Sequence, residues 1–131
     1  NLMDYGVPLG RRFRALKLWF VMRYYGREGL AARIRDHVAW AQELAATIAG
    51  DGRFELCAPV PLSLICFRRK GSDEANRELL DQVNASGEIF LSHTALNGRI
   101  VLRLAIGNHS TTRAHVQRAW EIVRGAHRAA G

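Results

Sequence analysis

The chain has 131 residues, a mass of 14.7 kDa and a formal net charge of +7. With 48% apolar residues it is too hydrophobic for a disordered chain, and two cysteines are too few for a disulfide framework. Its longest apolar run, residues 18–22, is far too short to cross a membrane, and we expect no signal peptide. The composition therefore predicts one ordinary globular domain or part of one.

The basic charge is carried almost entirely by arginine, since Lys17 and Lys70 are the only lysines. The arginines are spread over the whole chain and cluster only at residues 11–14. No basic stripe alternates with aromatic residues, as single-strand nucleic-acid binding requires. We therefore expect no nucleic-acid partner.

The first part of the chain predicts an extended segment and two helices. Residues 1–10 contain two glycines and a proline and show no periodicity. Apolar residues recur with helical spacing over residues 11–25 and again over residues 28–49. Gly26 and Gly29 bracket the expected break between the two helices.

The rest of the chain alternates short strands with helices. Asn97-Gly98 predicts a tight turn, and Ser110, Thr111 or Thr112 is expected to cap the last helix. The predicted strands are residues 54–58, 63–69, 89–94 and 99–106, and the predicted helices are residues 73–85 and 112–129. Short connections between strands favour an antiparallel sheet covered by helices, so the predicted fold class is α+β.

Arg103 interrupts the clearest strand pattern. Ile100, Leu102 and Leu104 are predicted to point to one face, and Arg103 lies on the other face between apolar neighbours. One explanation is a solvent-exposed face, which antiparallel sheets commonly have. The other is an anchor for a carboxylate or phosphate, because a guanidinium group is planar and donates two hydrogen bonds at once. The pattern alone favours the solvent-exposed face.

No other motif points to chemistry. The serines have no Gly-x-Ser-x-Gly context, phosphate-binding glycine loops are absent, and Asp73-Glu74 is typical of the first turn of a helix. Cys57 and Cys66 lie on neighbouring predicted strands, where two reduced, half-buried thiols are expected. The histidines lack zinc-site spacing, so no metal is expected; they are His37, His93, His109, His115 and His127.

Two segments carry more information than periodicity. They are PLGRRFRALKLWFVMRYYGREGL at residues 8–30 and LNGRIVLRLAIGNHSTTRAHVQRAW at residues 96–120. With RIRDHVAWAQEL and RFELCAPVPLSLICFRRKGSDEANRELLDQVN between them, they closely resemble the C-terminal part of the pyridoxal-phosphate-dependent aromatic-L-amino-acid decarboxylases. That family includes the dopa, tyrosine and tryptophan decarboxylases.

The resemblance implies a fold-type I enzyme whose large domain holds pyridoxal phosphate. Residues 50–131 would be its C-terminal small domain, an antiparallel four-stranded sheet with helices packed on one face. Residues 1–49 would supply the extended segment and two helices that bridge to the large domain. Residues 18–22 would then be buried against that domain or against the partner subunit of a homodimer. The implied protein is cytoplasmic and has no membrane partner.

The resemblance also implies roles for three residues. Arg103, in VLRLAI, matches an arginine that reaches the active site near the substrate and cofactor, which favours the functional explanation. Gly10, in PLGRRF, matches a glycine that the neighbouring subunit contributes to the aromatic-ring pocket, where the backbone approaches the ring closely. Leu9 beside it is a further candidate. The alternative for Gly10 is a glycine that only starts a helix.

The chain offers no candidate for the family's cofactor-binding lysine. That lysine follows a histidine in an Asn-Pro-His-Lys-type sequence, which neither Lys17, in RALKLWF, nor Lys70, in RRKGS, matches. Because the chain begins at Asn1, we expect an upstream part with this lysine and no catalysis by the chain alone.

The implied activity of the full-length protein converts an aromatic L-amino acid to its amine and carbon dioxide. One alternative is an aromatic aldehyde synthase of the same family. The other is a non-catalytic, basic interaction module.

Overall fold

The computed structural model describes residues 13–126, and the chain divides into two compact units, residues 1–34 and 35–131. The elements in chain order are α1 (Arg14–Gly50), β1 (Phe54–Leu56), β2 (Leu64–Arg69), α2 (Asp73–Ala85), β3 (Ser92–Leu96), β4 (Arg99–Ala105) and α3 (Arg113–Gly125). The predicted order of helices and strands is confirmed, with α1 counted as two helical halves. The predicted division between residues 1–49 and 50–131 concerns domains of a longer protein and stays a prediction.

The helix α1 is interrupted at Gly26. This glycine has φ 66° and ψ 177°, a conformation that is essentially restricted to glycine. Gly29, which the sequence places at the edge of the break, lies inside the second helical half. The predicted segment at residues 1–10 and the predicted helix start at residue 11 lie outside the described residues.

The first unit exposes its apolar block. Trp19, Phe20 and Met22 are each more than half exposed, and the rings of Trp19 and Phe20 meet edge to face with centroids 5.1 Å apart. Phe13 and Tyr24, on either side of the block, are 73% and 81% exposed. We call the surface formed by Phe13 and by the exposed apolar residues of α1 up to Tyr24 the apolar face of α1. Its predicted burial against a large domain or partner subunit stays a prediction.

The four strands form one antiparallel sheet in the order β1-β2-β4-β3. Because β4 is antiparallel to both of its neighbours, β2 and β3 run in the same direction and α2 connects them. A two-residue turn joins β3 to β4, with φ 52° at Asn97 and φ 74° at Gly98. Both residues have the positive φ that a type I′ hairpin turn requires, as Asn-Gly predicts.

One face of the sheet carries the core. Trp120 of α3 packs against Phe54 and Phe67, at centroid distances of 5.0 and 6.2 Å. The same cluster contains Leu102 and Leu104 of β4, the inward side chains of α2, and residues from the second half of α1. The predicted four-stranded antiparallel sheet with helices packed on one face is therefore confirmed.

Several predicted boundaries need correction. β3 begins at Ser92 rather than residue 89, because the backbone N–H and C=O of Leu91 are hydrogen-bonded to the side chain of Asn84. Asn84 Oδ1 accepts from Leu91 N at 2.8 Å, and Asn84 Nδ2 donates to Leu91 O at 3.0 Å. β1 ends at Leu56 and β4 at Ala105, although Cys57 N and Ile106 N still donate to neighbouring carbonyl groups.

The two later helices begin at side-chain caps. Ser72 Oγ accepts from Ala75 N at 3.2 Å, and α2 has the predicted bounds. Thr112 is the cap of α3, since its hydroxyl accepts from His115 N while His115 Nδ1 accepts from Thr112 N. α3 is described to Gly125, and its predicted end at residue 129 lies outside the described residues. Among residues 13–126, no helix combines the length and apolar character needed to cross a membrane.

Candidate functional site

A row of four side chains crosses the sheet on the face opposite the core. Strand register places Arg103 of β4 between Cys66 of β2 and Ser92 of β3. Cys57, just beyond β1, is opposite Cys66 and donates its backbone N–H to Cys66 O at 2.8 Å. All four residues are half-buried. We call these residues, Cys57, Cys66, Arg103 and Ser92, the Arg103 row.

Arg103 makes no hydrogen bond or ion pair with any residue in the described range 13–126. The two neighbouring strands fix the backbone of Arg103 and its side chain is half-buried, while no carboxylate within this range neutralises its guanidinium group. Such a group can bind a carboxylate or phosphate through two parallel hydrogen bonds.

The next row on the same face contains an arginine that, unlike Arg103, is buried and hydrogen-bonded within the fold. Arg68 of β2 has only 2% of its side chain exposed. Its Nη1 donates to Asp73 Oδ1 at 2.9 Å and to Ile100 O at 3.2 Å, and its Nη2 donates to Gly71 O at 2.7 Å. Glu55 lies 3.7 Å away and also pairs with Arg99. Arg68 is thus satisfied within the fold, which makes its role structural.

Electrostatics around Arg68 favour ionised carboxylates. The backbone N–H of Ile100 donates to Asp73 Oδ1 at 3.1 Å, and with Arg68 it lowers the pKa of Asp73 below its usual value. The burial of Arg68 is not predicted by the sequence, because FRRKG at the end of a strand is typical of solvated charge. The acidic residues Glu55 and Asp73 were the only local signal.

Asn76 is a second buried polar residue that the sequence analysis missed. It is fully buried, and its side-chain amide both accepts from Arg69 N at 2.9 Å and donates to Arg69 O at 3.0 Å. These two bonds replace a strand partner at the end of β2. Asn76 therefore fixes α2 against the sheet and has a structural role.

The four histidines within residues 13–126 are not gathered into a site. His37 is buried with its ring centroid 5.5 Å from that of Trp40, His115 completes the cap of α3, and His93 is exposed. Within residues 13–126, no three histidine, cysteine, aspartate or glutamate side chains are placed to share a metal ion. Gly10 and Leu9, the candidates for the aromatic-ring pocket, lie outside the described residues.

A comparison with protein families decides the family of the chain. The model described as the pyridoxal-dependent decarboxylase conserved domain matches residues 1–70, which is more than half of the sequence. The chain belongs to the pyridoxal-dependent decarboxylase family. This match confirms the resemblance found in residues 8–30, and relatives that cover about nine tenths of the chain confirm it for the chain as a whole.

Named relatives of this decarboxylase-family chain fall into two activity classes. Aromatic-L-amino-acid decarboxylase from Sus scrofa is 50% identical over 119 residues, covering 91% of this chain and 24% of that protein. Phenylacetaldehyde synthase from Arabidopsis thaliana is 48% identical over 128 residues, covering 92% of this chain and 26% of that protein. The chain spans about a quarter of the length of these curated relatives.

Solved structures agree with the family and the fold. Catharanthus roseus tryptophan decarboxylase, in a complex with L-tryptophan, superposes with a TM-score of 0.81 at 38% identity. The match covers 95% of this chain and 28% of that protein chain. The described sheet and helices therefore correspond to one part of a larger family member.

The lysines of this chain do not fit a covalent attachment site for pyridoxal phosphate. Lys17 is exposed on α1, and Lys70 is exposed and donates its Nζ to Gly52 O at 2.8 Å. A lysine that bonds to a carbonyl cofactor is normally desolvated or placed beside another cation, so that its amine is activated. Residues 13–126 therefore form no complete cofactor site by themselves, and Arg103 remains their one candidate for an anionic group.

Proposed function

We propose that this chain is the C-terminal part of a pyridoxal-phosphate-dependent decarboxylase that converts an aromatic L-amino acid to its amine and carbon dioxide. In this proposal, the cofactor and its lysine belong to the part of the longer protein that precedes the chain. The chain alone is inactive, and its contribution is a binding surface on a rigid sheet. The full-length protein is a cytoplasmic homodimer.

The observation that carries the proposal is that the guanidinium group of Arg103 has no hydrogen-bond or ion-pair partner among residues 13–126. An exposed arginine at a loop or helix end would carry little weight, because water and salt satisfy such groups readily. Arg103 instead lies in the middle of a central strand, half-buried, with both neighbouring strands fixing its backbone. In the proposed enzyme, it donates to an anionic group at the active site and orients it.

Residues 1–24 have a second role in the proposal. Gly10 and Leu9 line the aromatic-ring pocket of the neighbouring subunit, and the apolar face of α1 is covered in the dimer by the large domain or by that subunit. The exposure of Trp19, Phe20 and Met22 supports this arrangement, because monomeric proteins rarely expose large contiguous apolar patches.

Aromatic aldehyde synthesis is the second candidate. The 48% identity to phenylacetaldehyde synthase is close to the 50% identity to the decarboxylase, although each relative is covered only over about a quarter of its length. Both activities would remove the same carboxylate and would use the same binding role for Arg103. Residues outside this chain would then decide between amine and aldehyde.

The first experiment is product analysis of the full-length protein. It is supplied with L-tryptophan, L-tyrosine or L-dopa, with and without pyridoxal phosphate. Cofactor-dependent release of carbon dioxide and an amine is the expected result. Carbon dioxide with an aldehyde, ammonia and hydrogen peroxide would instead identify the synthase, and no product from any of the three would overturn both candidates.

The second experiment tests Arg103 with a matched control on the same strand. Arg103→Ala in the full-length protein should lower kcat/KM by more than about tenfold, or about 1.4 kcal/mol of transition-state stabilisation. Arg99→Ala removes an arginine that already pairs with Glu55 and should change kcat/KM by less than about threefold. Equal effects of the two substitutions would contradict the proposed role of Arg103.

A further inference from the structure

Cys57 and Cys66 are directly opposed across the β1–β2 edge of the sheet. Leu56 pairs with Phe67, so the next pair along the antiparallel register is Cys57 with Cys66. The 2.8 Å bond from Cys57 N to Cys66 O confirms that the pairing continues beyond the end of β1. Side chains of directly opposed residues lie on the same face. Both thiols therefore project from the face that carries Arg103.

The backbone spacing suits a disulfide bond. The single bond from Cys57 N to Cys66 O marks a hydrogen-bonded position of the antiparallel register, where opposed Cα atoms are typically about 5.5 Å apart. Natural disulfide bonds span Cα distances of about 4.4 to 6.8 Å. The sheet therefore holds the two cysteines within bonding range without a change of register, while both are free thiols in this structure.

The surroundings explain why the pair is reduced by default and yet open to an oxidant. Within residues 13–126 both cysteines are half-buried, so this part of the protein leaves the two thiols accessible to a small molecule. Burial raises the pKa of the Cys57 thiol, and the neighbouring Glu55 carboxylate raises it further. The Cys57 Sγ also donates to Glu55 O at 3.8 Å. Because a raised pKa keeps the thiolate scarce, we expect weak oxidants to act slowly on Cys57.

We propose that Cys57 and Cys66 are an oxidation site at which hydrogen peroxide closes a reversible disulfide bond between β1 and β2. In the first step, peroxide oxidises one thiol to a sulfenic acid, its O–O bond breaks and one water leaves. In the second step, the other thiol attacks that sulfur, the S–S bond forms and a second water leaves. Two thiols lose two hydrogen atoms in total, and one peroxide becomes two waters.

The sequence makes the test direct, because both cysteines fall within one tryptic peptide. Cleavage after Arg53 and after Arg68 releases FELCAPVPLSLICFR, residues 54–68. The native full-length protein is treated with hydrogen peroxide, and its free thiols are blocked with N-ethylmaleimide. After tryptic digestion, the mass of this peptide is measured by mass spectrometry. The expected product carries no N-ethylmaleimide and is lighter than the dithiol peptide by two hydrogen atoms. Dithiothreitol added before blocking should restore a peptide with two labels.

Two variants serve as controls. Cys57→Ser and Cys66→Ser should each abolish the lighter peptide and leave one cysteine that is either labelled or oxidised further. Three outcomes would overturn the proposal: a native peptide that keeps both labels while other cysteines of the protein oxidise, separate sulfinic acids on Cys57 and Cys66, or a disulfide from either residue to a different cysteine. The readout is independent of catalysis, so it does not depend on the proposed function.

Discussion

Replacing Arg68 with methionine should strongly destabilise the fold, because it removes the donor that satisfies a buried polar cluster. Methionine preserves most of the apolar stem but leaves Gly71 O and Ile100 O without the donors that lie 2.7 and 3.2 Å away. Asp73 keeps its bond from Ile100 N and loses its buried cation. Each orphaned buried group costs about 1 to 3 kcal/mol. Because Gly71 is exposed enough for water to replace its donor, we expect a total loss of about 3 kcal/mol.

Urea unfolding of the 131-residue chain, followed by circular dichroism, measures this loss as a shift of the midpoint at constant slope. Arg77→Met is the matched control, because Arg77 forms a 3.3 Å ion pair with Glu74 and has 57% of its side chain exposed. That control should change the free energy of unfolding by less than about 0.5 kcal/mol. Similar losses for both variants, or a stabilised Arg68→Met chain, would refute the structural role assigned to Arg68.

Two further predictions concern the core and the response to acid. Phe67→Ala should lower the free energy of unfolding by about 3 to 5 kcal/mol, because Phe67 is fully buried against Phe54 and Trp120. Phe90→Ala, at a residue that is 81% exposed, should change it little in the same urea titration. Stability should also fall as the pH drops from about 4 toward 2, since Arg53 lowers the pKa of Asp51 from 3.8 to about 2 and acid protonates this carboxylate. Asp51→Asn should flatten that part of a pH series of urea midpoints, and an unchanged acid slope would contradict the assignment.

Local signals predicted the elements whose geometry is decided within a few residues. Asn97-Gly98 predicts the hairpin turn because both positions tolerate positive φ, and residues 110–112 predict a capped start of α3 because a hydroxyl there can accept from the first turn, as Thr112 does. The alternation of β4 predicted the two faces of the strand correctly, which placed Arg103 opposite the core.

Long-range partners decided the features that the sequence did not predict. The start of β3 depends on Asn84, which captures the backbone of Leu91 from seven residues away. The burial of Arg68 depends on Ile100, 32 residues later in the chain, and on an acidic residue in α2. No periodicity encodes such contacts, since each polar side chain is also compatible with a solvated surface.

Arg68 and Arg103 occupy adjacent rows of the same sheet face, and the difference between them is the clearest functional signal in the chain. In the sequence each arginine is compatible with a solvated surface, since Arg68 lies in FRRKG at the end of a strand and Arg103 alternates with the core residues of β4. The fold surrounds Arg68 with carboxylates and carbonyl groups and gives Arg103 no such partner within residues 13–126. A fold that uses arginine for stability neutralises it internally, as it does at Arg68. We therefore propose that an anion from outside residues 13–126 pairs with the guanidinium group of Arg103, and the Arg103→Ala and Arg99→Ala pair would measure what such an anion contributes.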